Sequence, residues 1–269
     1  MKTLFNKYSN IIIAILVVLL AGGMISSFYF SQKANEKEQF DYTEFYTPVV
    51  ITTEDPANPE ETVEVEVLDL SLQLLKQKNP DVVAIIEFDD KIIEEAIVQA
   101  SDNDYYVRRD LEGKKAAAGA SFIDCNGSLT SENTVIYGHS STKRNIIFTP
   151  LMEYKSHDYF TAHPAFTLET EEGSDMYLIF SVFMYDTEDE SQSPDFVTAN
   201  WEEQTDKSYY LVSLKERSMY ETGVSVESSD KLVTLVTCDT EDASAGPSLT
   251  LLLWLGPSRA RWHGRPVPL

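Results

Sequence analysis

The hydrophobic residues of this chain follow three patterns, and the first lies at its start. No residue from Tyr8 to Gln32 is charged, and the stretch from Ile11 to Phe30 is mostly apolar. As a helix rising about 1.5 Å per residue, this stretch would be long enough to cross a hydrocarbon layer of roughly 30 Å. The pattern therefore predicts an N-terminal transmembrane helix within residues 1–33.

The flanking residues predict the orientation of this helix. Lys2 and Lys7 precede it, and basic residues collect on the cytoplasmic side of membrane segments. The competing interpretation is a cleaved signal peptide whose apolar region is Ile11–Leu20, but no convincing small-x-small cleavage site follows that region. We expect a single-pass protein of the cell membrane with a cytoplasmic N-terminus and an extracellular remainder.

The second pattern fills the middle of the chain with short apolar runs, which turn signals such as Asn126-Gly127 separate. Runs of this kind are typical of strands. Many short strands with few long helices predict a mainly β fold, either a closed barrel or a sandwich. The predicted strands are Val82–Phe88, Ile92–Val98, Tyr105–Arg108, Ser121–Cys125, Thr134–Gly138, Phe166–Thr170, Met176–Met184 and Leu232–Cys238.

Two helices are predicted among these strands. Leu68–Lys78 places leucines on one face at three- and four-residue spacing, and Asn79-Pro80 ends the segment. Asn200–Arg217 has a residue suited to an N-cap at its start and basic residues in its last turn. The second helix comes before the strand Leu232–Cys238.

The third pattern belongs to the two segments that flank this middle region. Residues 34–66 are polar and acidic with three prolines, which is typical of a linker. Residues 247–269 contain no acid, three arginines and four prolines. We therefore divide the chain into an anchor at 1–33, a linker at 34–66, a folded domain at 67–246 and an atypical tail at 247–269.

Charge and cysteine content narrow the function classes. The chain carries 21 Lys and Arg against 44 Asp and Glu, for a net charge of −23. This acidic balance argues against a nucleic-acid partner, because a phosphate backbone requires clustered basic residues. Two cysteines are too few for a disulfide scaffold or a cysteine-built zinc site. We predict neither a metal nor another cofactor.

Two residues at predicted strand ends could form a nucleophile–base pair. Cys238 ends the run Leu232–Cys238, and His139 directly follows Thr134–Gly138. A strand end that meets a loop holds a side chain rigidly and leaves it accessible. A single cysteine is more often a buried hydrophobe and a single histidine is usually structural, but the two types together fit cysteine–histidine catalysis.

These residues carry a resemblance to a known family. Thr234–Cys238 (Thr-Leu-Val-Thr-Cys) resembles the nucleophile segment of sortases, the cysteine transpeptidases of Gram-positive cell surfaces, and Tyr137–His139 (Tyr-Gly-His) resembles their catalytic-histidine segment. Gly119–Asp124 and the helix Asn200–Arg217 are similar to features of class B sortases. The resemblance covers most of residues 67–246 and implies a closed sortase-type β-barrel.

The resemblance also implies a mechanism. Cys238 would attack a carbonyl in the C-terminal sorting motif of a secreted protein, and His139 would protonate the departing amine. The amine of a peptidoglycan precursor would then resolve the thioacyl intermediate. With unperturbed pKa values near 8.5 for the cysteine and 6.5 for the histidine, both groups would be in the reactive ionised form only about 1% of the time at neutral pH. Either the pKa values of the pair are shifted in the folded protein or the enzyme is slow.

One expected residue is missing. Sortases use an arginine on the strand after the cysteine, roughly ten residues on in class B, but residues 245–249 (Ala-Gly-Pro-Ser-Leu) contain none. We expect a frameshift or cloning junction near Gly246. The alternative is a divergent last strand, Leu249–Leu255, with the arginine supplied by Arg259 or from elsewhere. A lost oxyanion partner can cost about 10²–10³ in rate.

Two other functions remain open. The missing arginine allows a catalytically impaired relative that binds sorting motifs without processing them. A thiol redox protein using Cys125 and Cys238 is the third possibility, although the chain contains no Cys-x-x-Cys motif.

The anchor leads to the first testable prediction. The full chain should partition with membranes, and residues 34–269 should be open to protease from outside, because an uncleaved helix retains the protein in the bilayer. Membrane fractionation with protease shaving measures both. Recovery of a soluble form that starts after residue 30 would show a cleaved signal instead.

Overall fold

The structure is a computed structural model that describes residues 39–55, 58–141, 146–186, 198–239 and 248–255. The predicted anchor at 1–33 and the residues after Leu255 lie outside these ranges. Within them, no helix is both long and apolar enough to cross a membrane.

Among the described residues, eight strands form the central sheet. They are β3 Val82–Phe88, β4 Glu94–Val98, β5 Ser121–Ile123, β6 Asn133–Tyr137, β7 Ala165–Thr170, β8 Gly173–Asp186, β9 Leu232–Asp239 and β10 Ser248–Leu255. Their hydrogen-bonded order is β10–β8–β7–β3–β4–β5–β6–β9, and it closes into a barrel because β9 also pairs with β10. The mainly β prediction is confirmed.

Two of the strand pairs are parallel, namely β4 with β5 and β6 with β9, whereas the other pairs in this sheet are antiparallel. Parallel neighbours end at the same edge of a sheet, and they need a long connection between them. The pair formed by β6 and β9 therefore brings together two strand ends that lie far apart in sequence.

Short helices connect these strands. They are α1 Leu72–Lys78, α2 His157–Ala162 and α3 Gln204–Arg217, with 3₁₀ turns at Thr43–Phe45, Asp89–Lys91, Tyr106–Arg108 and Thr149–Lys155. The Ser71 hydroxyl caps α1 by accepting from Leu74 N–H, and Asn79 ends it, as the Asn-Pro signal predicts. The prediction of a strand at Tyr105–Arg108 is wrong, because this segment is a turn that leads into an irregular loop.

Helix α3 begins later than its sequence indicates. The predicted N-cap, Asn200, instead accepts a hydrogen bond from Glu132 N–H at 3.2 Å, and the helix starts at Gln204. Tyr210, Leu211 and Leu214 are buried on one face, as expected from their three- and four-residue spacing. They join a cluster with Val135 of β6 and Val236 of β9, so α3 covers the two parallel strands.

A buried lysine fixes this helix to the barrel. Lys207 is only 1% exposed, and its ammonium donates to Glu132 Oε1 at 3.2 Å and to the Asp230 carbonyl at 2.8 Å. Glu132 immediately precedes β6, and Asp230 lies just before β9. A buried charge is tolerated when it is paired and hydrogen-bonded, so Lys207 links α3 to the starts of both strands.

A two-stranded hairpin precedes the barrel. Strands β1 Tyr46–Asp55 and β2 Asn58–Leu70 pair antiparallel, with Val49 opposite Val67 and Ile51 opposite Val65. Most of this hairpin falls within residues 34–66, for which the acidic, proline-containing composition predicts a linker. The division of the chain into domains stays a prediction, but part of that segment is regular β-structure.

The segment before the hairpin is fixed to the barrel by a buried carboxylate. Glu95 of β4 is 5% exposed, and it accepts hydrogen bonds from Tyr42 Oη at 2.8 Å and Gln39 Nε2 at 2.9 Å. Burial raises the pKa of Glu95 to about 7, although these two hydrogen bonds lower it. The protonated carboxyl is therefore favoured by folding more than the carboxylate is.

This environment predicts how stability depends on pH. The pKa of Glu95 is higher in the folded chain than in the unfolded chain. Its contribution to the free energy of unfolding is therefore complete below about pH 4.5 and is lost as the pH rises to about 7. Chemical unfolding of the wild type should show this loss, on the order of 3 kcal/mol. The glutamine of Glu95→Gln does not ionise, so this variant should lose that part of the dependence of the unfolding free energy on pH, which is the slope compared here. An unchanged slope in Glu95→Gln would contradict the assignment.

Candidate active site

The two predicted catalytic positions lie at the same end of neighbouring strands. Tyr137 of β6 pairs with Val236 of β9 in parallel register. Continuing that register by two residues puts His139 level with Cys238, and Gly138 N–H still donates to the Val236 carbonyl at 3.0 Å. Neighbouring strands are about 4.8 Å apart, so the backbone brings a histidine and a cysteine side by side.

The imidazole of His139 is held by a main-chain group that sequence analysis missed. Nε2 lies 2.9 Å from the carbonyl oxygen of Val107. A carbonyl can only accept a hydrogen bond, so Nε2 carries a hydrogen and Nδ1 is the nitrogen left to exchange a proton. A contact to a backbone carbonyl has no side-chain signature, and the sequence therefore gave no signal for Val107.

The loop that carries Val107 is itself anchored. Asn103 donates to Asp124 Oδ2 at 3.0 Å and accepts from Cys125 N–H at 2.8 Å. Ala120 N–H donates to the Tyr106 carbonyl at 3.1 Å. Gly119 has a φ of +65°, and a Cβ there would lie 2.5 Å from the same carbonyl oxygen. Glycine is thus required for the close approach that places Val107 near His139.

The electrostatics around His139 favour its neutral form. Burial of the half-buried ring lowers the pKa of His139, the hydrogen bond to Val107 raises it, and the charge of Arg108 lowers it, with a net lowering. A lower pKa disfavours the imidazolium that would pair with a thiolate. The His139 imidazole is therefore neutral over a wider pH range than an exposed histidine.

The second cysteine is remote from this strand end. Asp124 N–H donates to the Val135 carbonyl, which places Cys125 near the start of β6, level with Val233 of β9. Five residues along a strand separate that level from Cys238, or about 16 Å. A disulfide needs Cα atoms within about 7 Å. The pairing of Cys125 with Cys238 that the redox hypothesis requires does not fit this topology.

One carboxylate group has a spacing that a cation could bridge. The carboxylate oxygens of three residues lie close together, namely those of Asp69, Glu87 and Glu94. Glu87 and Glu94 belong to β3 and β4, whereas His139 follows β6, which is separated from β4 by β5. The ammonium of Lys91 already occupies this position, 3.5 Å from Asp69 and 3.4 Å from Glu87, and it also pairs with Glu94. The group is explained by this lysine.

Strand β10 provides the neighbour of β9 on its other side. Ser248–Leu255 pairs with both β9 and β8, and Leu249 is directly opposite Cys238. The chain therefore does have a last strand at the position of the predicted alternative, Leu249–Leu255. Leu249 occupies the register position next to the cysteine, within the window 245–249 in which the resemblance leads us to expect an arginine. The origin of residues 247–269 stays a prediction.

Comparisons with known proteins agree with this arrangement. A family model described as a sortase domain matches residues 97–248. Sortase B of Listeria monocytogenes is 32% identical over 227 residues, which cover 84% of this chain and 86% of the relative. The chain belongs to the sortase family.

Its relatives place it with class B. The crystal structure of Clostridium perfringens sortase B has a TM-score of 0.63 and 26% identity, covering 70% of this chain and all of that one. A Staphylococcus aureus sortase B–substrate complex shares the fold with a TM-score of 0.62, at 22% identity over 69% of this chain and 84% of that one. Within the sortase family, the chain is therefore most like class B sortases.

Arg108 allows a test of the site electrostatics. Arg108→Gln should raise the pKa of His139, because it removes a nearby positive charge that disfavours the imidazolium. NMR titration of the imidazole resonances measures this directly. The matched control is Arg109→Gln, since Arg109 lies over the Tyr105 ring and does not contribute to the His139 shift. A downward shift in Arg108→Gln, or equal shifts in the two variants, would contradict the account.

Proposed function

We propose that this chain is a membrane-anchored cysteine transpeptidase. It cleaves a C-terminal sorting motif of secreted proteins and joins them to an amine of the cell wall. The observation that carries the proposal is the continued parallel register that brings His139 level with Cys238. Family membership supports it, because sortases are generally cysteine transpeptidases. The uncharged N-terminal run supports an extracellular catalytic domain on a single membrane helix.

The reaction proceeds in two balanced steps. The Cys238 thiolate adds to the scissile carbonyl, and the tetrahedral intermediate collapses to a thioester as the leaving amine takes a proton from His139. A peptidoglycan-precursor amine then attacks the thioester and gives its proton to His139, which frees the cysteine. With Nε2 directed at Val107, both proton transfers use Nδ1. No cofactor enters either step.

A second candidate is a catalytically impaired sortase that binds sorting motifs. The observation that favours it is the absence of any arginine between Cys238 and Arg259. Without a cation beside the cysteine, the oxyanion of the tetrahedral intermediate lacks one stabilising charge. The two candidates differ in one measurable property, since only the first forms a thioester on Cys238.

The main proposal predicts a specific loss of activity. The full chain in detergent should cleave peptides from a panel of sorting motifs, and mass spectrometry should detect an acylated Cys238. Cys238→Ala should abolish both, and Cys238→Ser should also be inactive, because an alcohol is far less ionised than a thiol near neutral pH. Peptide binding without any acylation would favour the impaired relative. Cleavage that survives in Cys238→Ala would overturn both candidates.

The register of β10 predicts a gain of activity. Replacing residues 247–269 with a family-like strand that begins with arginine should raise cleavage by roughly two orders of magnitude, the usual scale for one oxyanion donor. Leu249→Arg is the minimal form of this change, because residue 249 is opposite Cys238. Leu249→Gln is the matched control without charge. If the unaltered chain already cleaves peptide at the full rate, the tail is a genuine, divergent last strand and catalysis does not lack an arginine.

A further inference from the structure

The ring of Phe148 packs against the main chain just before His139. A Cβ atom built at Gly138 would lie 2.7 Å from Cγ and from Cε2 of Phe148, and closer still to Cδ2. Real Cβ atoms do not approach other atoms this closely, so any side chain at position 138 must displace the ring or the strand end. The ring therefore occupies the space that a side chain at residue 138 would need.

Glycine is required at position 138 because a side chain there would overlap the Phe148 ring, and not because of its backbone conformation. Gly138 is not among the residues with positive φ, so its backbone conformation is open to any amino acid. Gly119, by contrast, combines positive φ with a close approach. The two glycines on either side of the His139 site thus have different roles, and only the one at 138 depends on the size of a neighbouring side chain.

Phe148 also binds the histidine through its own backbone. Phe148 N–H donates to the His139 carbonyl at 3.0 Å, while Gly138 N–H donates to Val236 of β9 at 3.0 Å. The peptide units of residues 138 and 139 are therefore fixed from two sides, by the cysteine strand on one and by Phe148 on the other. These contacts determine where the Cα–Cβ bond of His139 points.

Phe148 is itself firmly held. It is fully buried in the main core cluster, and its carbonyl accepts from Leu151 N–H at 3.0 Å. The neighbouring Thr149 hydroxyl donates to the Ile146 carbonyl at 2.7 Å and accepts from Ser141 N–H at 3.0 Å. A group that positions a catalytic side chain must have its own conformation fixed by packing, and Phe148 meets this requirement.

We propose that Phe148 is a positioning residue for catalysis, holding the Gly138–His139 main chain so that the imidazole faces Cys238. The inference rests on the proposed function, in which His139 exchanges protons with the substrate. In this role Phe148 acts through the main chain of Gly138 and His139 and is not itself a catalytic group. Its contribution is geometric, and a displacement on the order of 1 Å at a catalytic group can cost about 10²-fold in rate.

The first test adds a methyl group at the contact. In the full chain, Gly138→Ala should lower kcat for sorting-peptide cleavage by about 10²-fold and leave KM within about threefold, because the proposal places the effect on the catalytic histidine and not on peptide binding. The matched control is Gly127→Ala, where a Cβ would meet its nearest neighbour, Ala199, at an ordinary 3.5 Å. Gly127→Ala should retain kcat. A Gly138→Ala enzyme with unchanged kcat would overturn the proposal.

The second test makes room for that methyl group. Phe148→Leu combined with Gly138→Ala should recover at least about tenfold of the lost kcat, since the smaller side chain relieves the overlap. Phe88→Leu in the Gly138→Ala background is the control for cavity formation, because Phe88 is 1% exposed in the same core cluster and stacks on Phe166. It should recover nothing. Equal recovery by both changes, or by neither, would contradict the proposal.

A third readout does not depend on turnover. The rate at which iodoacetamide alkylates Cys238, followed against pH, reports whether an imidazolium lies beside the thiolate. Gly138→Ala should shift this profile toward that of His139→Ala, and the double variant should shift it back. If the wild type neither cleaves peptide nor differs from His139→Ala, the proposed function fails. If the wild type cleaves peptide and differs from His139→Ala in its alkylation profile, and Gly138→Ala behaves like the wild type, only the proposed role of Phe148 fails.

Discussion

Strands β6 and β9 run parallel and side by side, and every part of the candidate site depends on the register of that pairing. The register is fixed near its start by a buried hydrogen bond of 2.7 Å from the Thr234 hydroxyl to Asn133 Oδ1, with both residues fully buried. A slip of one residue would turn each side chain to the other face of the sheet and leave these polar atoms unpaired. That penalty secures the register along the strand as far as His139 and Cys238.

The pairing joins segments that are about a hundred residues apart in sequence, so the connection between them must be held as well. Helix α3 belongs to that connection and covers both strands. Lys207 contacts Glu132 before β6 and Asp230 before β9, and its ammonium lies 5.3 Å from the centre of the Trp201 ring. Removing either partner of a buried pair leaves an uncompensated charge. The lysine therefore couples the position of the helix to the starts of the strands that end in the site.

At the other end of the strands, the site is assembled from main-chain contacts. The Val107 carbonyl sets the tautomer of His139, and Phe148 packs on Gly138 and bonds the His139 carbonyl. These groups come from the loop before β5 and the turn after β6. The histidine is thus positioned by backbone groups from two directions, and Nε2 is the ring nitrogen that the Val107 carbonyl engages, which leaves proton transfer to Nδ1.

Much of this could be predicted from the sequence where the signal is local. The bounds of β3 follow from its apolar run, and the strand-end placement of His139 and Cys238 follows from the patterns that precede them. Non-local contacts explain the errors. Asn200 bonds Glu132 and does not cap α3, and Val107 lies in a turn that Gly119 makes possible. In the hairpin, alternating Val63, Val65 and Val67 indicated a strand, but the acidic composition of the segment favoured a linker.

The adjacency of residues 139 and 238 is the central claim, and a cross-link tests it most directly. In a Cys125→Ser background, His139→Cys should form a disulfide with Cys238 under mild oxidation, because paired residues of neighbouring strands lie within the Cα separation of about 4.4–6.8 Å that a disulfide spans. Thr130→Cys, before the start of β6, is the distance control and should keep both thiols free. Mass spectrometry of the oxidised, alkylated protein distinguishes the cases. Two free thiols in the His139→Cys variant would contradict the account.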